Sequence, residues 1–193
     1  MARLVVTGGM GFIGSAFVRR RLAAGQDDVL VVDKLTYAGN PNNLQDYKDD
    51  PHLTFVRGDV CDRALMDRVT RDADAVVHFA AETHVDRSIA EPWPFLNSNT
   101  IGALTLFEVA KKNPKRILHI STDEIYGDIL KGSFKEDDKL KPSSPYSASK
   151  AAADLFASAY RRTYGSDIVI ARCTNNYGPY QFPEKLIPKT IIR

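Results

Sequence analysis

The sequence predicts an α/β fold, a doubly wound parallel sheet covered by helices. Three observations predict it. Short apolar, β-branched runs alternate with longer stretches of helical spacing. The runs are nearly continuous in apolar character, as strands buried on both faces are. A glycine turn separates the first run from the first helical stretch, which is where such a fold places one.

The elements follow in order. "RLVVT" (3–7) reads as the first strand. Residues 12–24 carry Ile13 and Phe17, then Val18 and Leu22, at i and i+4, and Gly25 is a plausible stop. "VLVVD" (29–33), "LTFVRGD" (53–59) and "AVVHFAA" (75–81) read as the next three strands. "RILHIS" (116–121) and "DIVIAR" (167–172) read as the fifth and sixth. Helical patterns fill 62–71, about 95–112 and about 146–164. Right-handed crossovers between parallel strands then give the doubly wound order. The closing "EKLIPKTIIR" looks like the start of an amphipathic helix. No repeat, low-complexity tract or flexible linker interrupts the pattern.

Bulk composition narrows the partners. The 193 residues are 44% hydrophobic and 26% charged, enough for a core that holds without staples. The net charge of +2 points to neither nucleic acid nor a membrane surface. Cys61 and Cys173 lie far apart, which suits a reducing compartment and argues against disulfides or a metal cluster. The opening "MARLVVTGG" holds too short an apolar run for a signal peptide, and no run approaches a membrane span. A cytoplasmic protein is the expectation.

The glycine turn reads Gly8-Gly9-Met10-Gly11-Phe12-Ile13-Gly14, a G-x-x-G-x-x-G spacing between strand and helix. Glycines let the backbone turn sharply and let a pyrophosphate approach the free N–H groups of a helix N-terminus. Asp33 ends the second strand 19 residues past Gly14, where an acid hydrogen-bonds a ribose 2′-hydroxyl. A 2′-phosphate would be repelled there, so NAD is expected over NADP. Asp59, ending the third strand, reads equally as an adenine contact or a plain turn residue.

Two further groups carry chemistry. Tyr146 and Lys150 in "PYSASK" are i and i+4 on a helix and share a face. An ammonium beside a phenol favours phenolate, which would remove a hydroxyl proton. Y-x-x-x-K alone says little; its weight comes from following the fifth strand of a nucleotide fold. Thr122, at the tip of that strand, would complete the set. Asp123 and Glu124 follow it in "STDEIYG", two adjacent carboxylates at the mouth of a buried strand. Such neighbours repel, and one ionisation raises the other's pKa. They are either solvated loop residues or an acid and a base at one pH.

The chain resembles the extended short-chain dehydrogenase/reductase family, most narrowly its dTDP-glucose 4,6-dehydratase branch. The resemblance rests on "TGGMGFIG", "VDKLTYAGN", "GDVCD", "HFAAETHVDRS", "STDEIYG", "PYSASKAAAD" and "RCTNNYGPYQFPEKLIP", in order along almost the whole chain. It implies a Rossmann-type NAD domain over 1–173. Residues 174–193 would be only the beginning of a smaller substrate-binding domain, the mark of a C-terminally truncated chain. It implies NAD contacts from Phe12, Ile13, Asp33, Lys34, Leu35, Thr36, Asp59 and Val60. The same role would extend to Phe79, Ala80, Ala81, Ser98, Tyr146, Lys150 and Asn176. Thr83, Thr122, Asn175, Lys185 and Leu186 would meet a sugar-nucleotide substrate, dTDP-glucose. A homodimer packed through the helices near 95–112 and 146–164 is also implied.

The implied reaction begins when Tyr146 takes the C4 hydroxyl proton while hydride leaves C4 for NAD. Glu124 then takes the C5 proton, Asp123 protonates the departing C6 hydroxyl, and hydride returns to C6. An epimerase on the same fold has no use for the acid pair, and a decarboxylase needs a carboxylate site. A catalytically silent NAD-binding fragment is the remaining alternative.

Overall fold

The computed structural model describes all 193 residues. Six parallel strands form one sheet: β1 (Ala2–Thr7), β2 (Asp27–Asp33), β3 (Leu53–Arg57), β4 (Ala75–His78), β5 (Arg116–Thr122) and β6 (Ile168–Cys173). Their order is β3-β2-β1-β4-β5-β6, so the direction of winding reverses between β1 and β4. That reversal opens a crevice at the carboxyl ends of the strands.

Alternation along the strands sorts the core into two layers. Val5, Val32 and Val76 face α2 (Arg63–Thr70), α5 (Gly102–Lys112) and α6 (Pro145–Tyr164), where Met66, Leu106, Phe107 and Ala153 complete the larger cluster. Val6, Val31 and Val77 face the other way, toward Val18 and Leu22 of α1 (Phe12–Ala24). Leu44, in the 3-10 turn Pro41–Tyr47, closes that second layer.

The sequence expectation of cover on both faces fails at the sheet edges. Phe55 on β3 and Val169 on β6 are exposed. They point outward from edge strands, where α1 and the 3-10 turn do not reach. The helical pattern near 95–112 also resolves into three pieces: α4 (Trp93–Phe95), a π-helical turn Leu96–Ile101, and α5. The wide turn buries Ser98, Asn99 and Thr100. Asn99 Nδ2 donates to Ser149 Oγ at 2.9 Å, and Thr100 Oγ1 to the Ser149 carbonyl at 2.9 Å, which pins the turn to α6. Such turns replace part of the helix ladder with side-chain bonds and often lie at functional sites.

Caps set the helices. Asp62 accepts from the Leu65 amide at the start of α2, at 3.0 Å. Ser144 and Ser147 form a reciprocal capping pair at the start of α6, and Gly165 ends it in the left-handed region at φ 66°. Pattern reading did not find α3 (Val85–Ala90), which is too short to show a period. Beyond β6 the chain runs without helix or strand until α7 (Leu186–Ile192), whose Leu186, Ile191 and Ile192 are exposed. No helix is long and apolar enough to cross a membrane.

Candidate active site

The glycine turn is built by close approach. Gly8 has φ +71°, and a Cβ there would lie 2.5 Å from the Ala80 amide nitrogen. A Cβ on Gly14 would lie 2.2 Å from the Gly8 carbonyl oxygen. Gly11 is the N-cap of α1 and offers no side chain to its first amides. The helix N-terminus therefore opens into the crevice with free donors, a favourable seat for a phosphate. This bare cradle, which any side chain would fill, fits a dinucleotide.

Asp33 stands at the end of β2 beside that cradle. Its Oδ2 accepts from the Met10 amide at 3.0 Å and its Oδ1 from the Leu35 amide at 2.8 Å. Burial pushes its carboxyl above the usual value, against the pull of those two amides and of Lys34. Leu35 itself has φ +57°, an uncommon conformation for leucine. Lys34 Nζ donates to Ser98 Oγ at 2.8 Å and lies 3.5 Å from the Asp59 carboxylate. Asp59 also accepts from the Cys61 amide at 2.9 Å. Burial opposes its charge, but Cys61 and Lys34 hold its pKa below the usual value. Asp59 thus serves the turn directly and reaches the crevice through Lys34.

The reactive pair enters on α6. Tyr146 occupies the first turn, its amide donating to Ser88 Oγ of α3 at 3.1 Å. Lys150, 3% exposed, donates from Nζ to the Ile120 carbonyl at 2.6 Å. Burial drives its pKa down to about 8. The expected phenolate is not what this arrangement favours. Burial, with Glu124 next, pushes the Tyr146 phenol up to about 12. The physical reason is that the ring is buried and carboxylates face it, against a hydrogen bond from Thr122, while Lys150 directs its ammonium to the Ile120 carbonyl.

Thr122 ends β5 and caps a short 3-10 turn, Asp123–Tyr126, that carries Asp123 and Glu124. Thr122 Oγ1 accepts from the Glu124 amide at 3.2 Å and faces Asp123 Oδ1 at 3.4 Å. Both carboxylates are half-buried. Burial first, then the Asp123 charge, raise the Glu124 pKa, with Lys185 opposing. A raised pKa makes the Glu124 carboxylate a stronger base.

One cleft joins these groups. Its walls include Gly8, Gly11, Phe12, Ile13, Gly14, Asp33, Lys34, Thr36, Val60, Phe79, Ala80, Ala81, Ser98, Thr122, Glu124, Tyr146, Lys150 and Asn176. Thr83, Asn175 and Lys185 line it as well. Leu35, Asp59, Asp123 and Leu186 are not on its walls. Leu35 and Asp59 act through Asp33 and Lys34, Asp123 lies 3.4 Å from the hydroxyl of Thr122, which is on the wall, and Leu186 is 80% exposed.

Sequence reasoning assigned no role to several cleft residues. Glu82 lines the wall, its amide held by Asn99 Oδ1 at 2.8 Å, and burial raises its pKa. Glu184 accepts from the Tyr37 hydroxyl at 2.9 Å and from Arg87 at 3.3 Å. The Arg87 guanidinium lies 3.8 Å over the Tyr37 ring, and Phe182 meets that ring edge-on at 5.2 Å. This clasp ties the segment carrying Lys185 to the loop after β2. Tyr37 and Glu82 fall inside the quoted "LTYAGN" and "ETHVDRS" segments, but nothing in their spacing marks a role.

Known proteins share this arrangement along the chain. A dTDP-glucose 4,6-dehydratase from Streptomyces niveus is 53% identical over 192 residues, covering 96% of this chain and 57% of that protein. A solved dTDP-glucose 4,6-dehydratase from Streptomyces venezuelae, with NAD bound, has TM-score 0.96 and 55% identity, over 98% of this chain and 61% of that one. A solved UDP-N-acetylglucosamine 4-epimerase from Methanobrevibacter ruminantium has TM-score 0.91 and 33% identity, over 99% and 62%. The chain thus spans about three fifths of the length of these relatives, and its fold is common to dehydratases and epimerases. The family described as GDP-mannose 4,6 dehydratase matches residues 5–193. With that match over a six-stranded sheet of this order, the chain belongs to the GDP-mannose 4,6 dehydratase family.

Proposed function

We propose that this protein is the NAD-dependent catalytic part of a sugar-nucleotide 4,6-dehydratase, a hydro-lyase acting on dTDP-glucose. The observation that carries the reading is the Asp123–Glu124 pair at the mouth of β5, with Glu124 on the same cleft wall as Tyr146 and Lys150. Epimerases share the fold but need neither an acid at C6 nor a base at C5. The dTDP-glucose assignment draws on the relatives' names.

NAD would lie with its pyrophosphate against Gly8, Gly11 and Gly14 and its adenosine ribose on Asp33. It would supply the hydride acceptor and a cationic ring. The chain's own residues handle the protons. Tyr146 takes the proton of the C4 hydroxyl, with Thr122 orienting that hydroxyl and Lys150 holding a ribose hydroxyl. Tyr146 needs the incoming positive charge, because its phenol alone holds its proton to about 12. The resulting C4 ketone acidifies C5. Glu124 removes the C5 proton, Asp123 protonates the C6 oxygen, and water leaves; C6 would then take back the hydride while Glu124 returns a proton to C5, so that the net reaction is loss of water. Thr83, Asn175, Lys185 and Leu186 would position the sugar and its diphosphate.

Residues 1–173 form the NAD-binding unit in this reading, and 174–193 begin the substrate-binding one. The end of β6 at Cys173 supports that division. A homodimer through the 95–112 segment and α6 is supported by apolar exposure there: Leu96 and Ile101 in the π-helical turn and Leu155 and Phe156 on α6 are open to solvent. Two unpaired cysteines suit a cytoplasmic setting.

Incubation with NAD and dTDP-glucose tests the reading. A 4-keto product, seen by its absorbance in alkali, is expected. NAD binding without product would instead favour a silent binding module.

A further inference from the structure

A polar row crosses the middle of the sheet beneath the site. Thr7, His78 and His119 are cross-strand partners on β1, β4 and β5. Thr7 Oγ1 and His78 Nδ1 lie 2.7 Å apart, and the two imidazoles stack at 5.3 Å. Asp154 on α6 continues the row, with Oδ1 3.5 Å from His119 Nε2. Its Oδ2 accepts from Arg172 Nε on β6 at 3.0 Å. His78, His119 and Asp154 are all at most 1% exposed. Well-packed apolar side chains would fill such a place without the cost of burying charge. The row calls for a reason beyond packing.

The row ends under Lys150. Lys150 and Asp154 are i and i+4 on α6 and share a face. The imidazoles bring no charge, since burial pushes His78 well below its ordinary value and His119 down to about 4. The charges here are therefore Lys150, Asp154 and Arg172, two cations about one anion. Arg172 has other acceptors, the Glu136 carbonyl at 2.8 Å and the Tyr126 hydroxyl. Asp154 Oδ1 has no hydrogen-bond partner, since 3.5 Å to His119 is too long for one. Burial opposes the Asp154 charge, but His119, Ser121 and Arg172 hold its pKa below the usual value. Lys150 makes no direct ion pair with Asp154 and senses its charge across one helical turn.

We propose that Asp154 is a positioning residue: its buried carboxylate, one helical turn from Lys150, keeps that side chain an ammonium on the Ile120 carbonyl, and Arg172 sets how much of the charge Lys150 receives. Burial is the largest influence on Lys150 and works against its charge; Asp154 and then Cys173 oppose it. The other titratable groups facing this space are Tyr146 on α6, His119 on β5 and His78 on β4. The inference rests on the proposed function only for what the ammonium does there.

Protein labelled with [13C]lysine tests it by NMR, with the Lys150 Cε signal assigned by its loss in Lys150→Met. The wild-type signal should titrate near 8. Asp154→Asn should lower the midpoint by about one pH unit or more, and Arg172→Leu should raise it. A merely structural role would not move the two variants in opposite directions. Equal midpoints in wild type and variants, or shifts of the same sign, would overturn the proposal. If Asp154→Asn loses the native circular dichroism spectrum, Arg172→Leu decides: an unmoved or lowered midpoint overturns the proposal. Catalysis is not read, so failure here leaves the dehydratase reading standing, and the converse holds.

Discussion

Lys150 shows how far this site departs from a stability optimum. Its folded pKa is depressed to about 8 from 10.5, chiefly by burial. The sign follows from proton binding: between those values the unfolded chain holds more protons, so stability rises with pH. The contribution is complete above 10.5 and lost as pH falls through about 8. Lys150→Met should therefore stabilise the fold at pH 7 by about 2 kcal/mol, after allowing for the Ile120 carbonyl left bare. Denaturant titration should show that advantage shrinking as pH rises between 8 and 10.5. Glu124 offers a second residue-scale check. Burial and then Asp123 raise its pKa, so Asp123→Asn should lower the Glu124 midpoint in a carboxyl NMR titration. An unchanged midpoint would mean that the two carboxylates do not sense each other.

At the scale of elements, the glycine turn and the head of α6 carry the geometry. Gly14→Ala forces a Cβ to 2.2 Å from a backbone carbonyl, so it should cost about 1–3 kcal/mol and abolish NAD binding. Gly11→Ala meets only the Gly8 carbonyl at 3.3 Å. It should keep the melting temperature within a few degrees while weakening NAD in calorimetry. Ser144→Ala removes the cap of the helix that presents Tyr146, and a loss of about 1 kcal/mol is expected in denaturant melts. The strands and α1 were legible in the sequence because periodicity and glycine punctuation report local structure. Gly8, Gly14, Asp33, Tyr146 and Lys150 were legible because their spacing is local too. The Glu184–Tyr37–Arg87 clasp was not, since its members lie far apart and meet only through the fold. The raised Tyr146 pKa was not legible for the same reason, because burial of the ring and the approach of Glu124 belong to the fold rather than to Y-x-x-x-K spacing.

The whole molecule presents one sheet, one cleft at its carboxyl edge and an apolar helical face away from that cleft. Trp93 is 66% exposed and Leu155 61%, too much apolar surface in one region to be indifferent to association. Leu155→Glu should convert a dimer to a monomer in size-exclusion chromatography with light scattering, with NAD affinity changed less than about twofold, since Leu155 lies far from the glycine turn. A wild-type monomer at all concentrations would remove the dimer from the account. Val169 on β6 and α7 expose further apolar surface.

The central claim is that Asp123 and Glu124 make this a dehydratase site. Reaction with dTDP-glucose in D2O tests it most directly, because Glu124 would return a solvent-exchanged proton to C5. The account predicts a 4-keto-6-deoxy product carrying deuterium at C5, and no water loss from Glu124→Gln although C4 oxidation persists. A C4 epimer from the wild type, or an equally fast, equally deuterated product from Glu124→Gln, would contradict it.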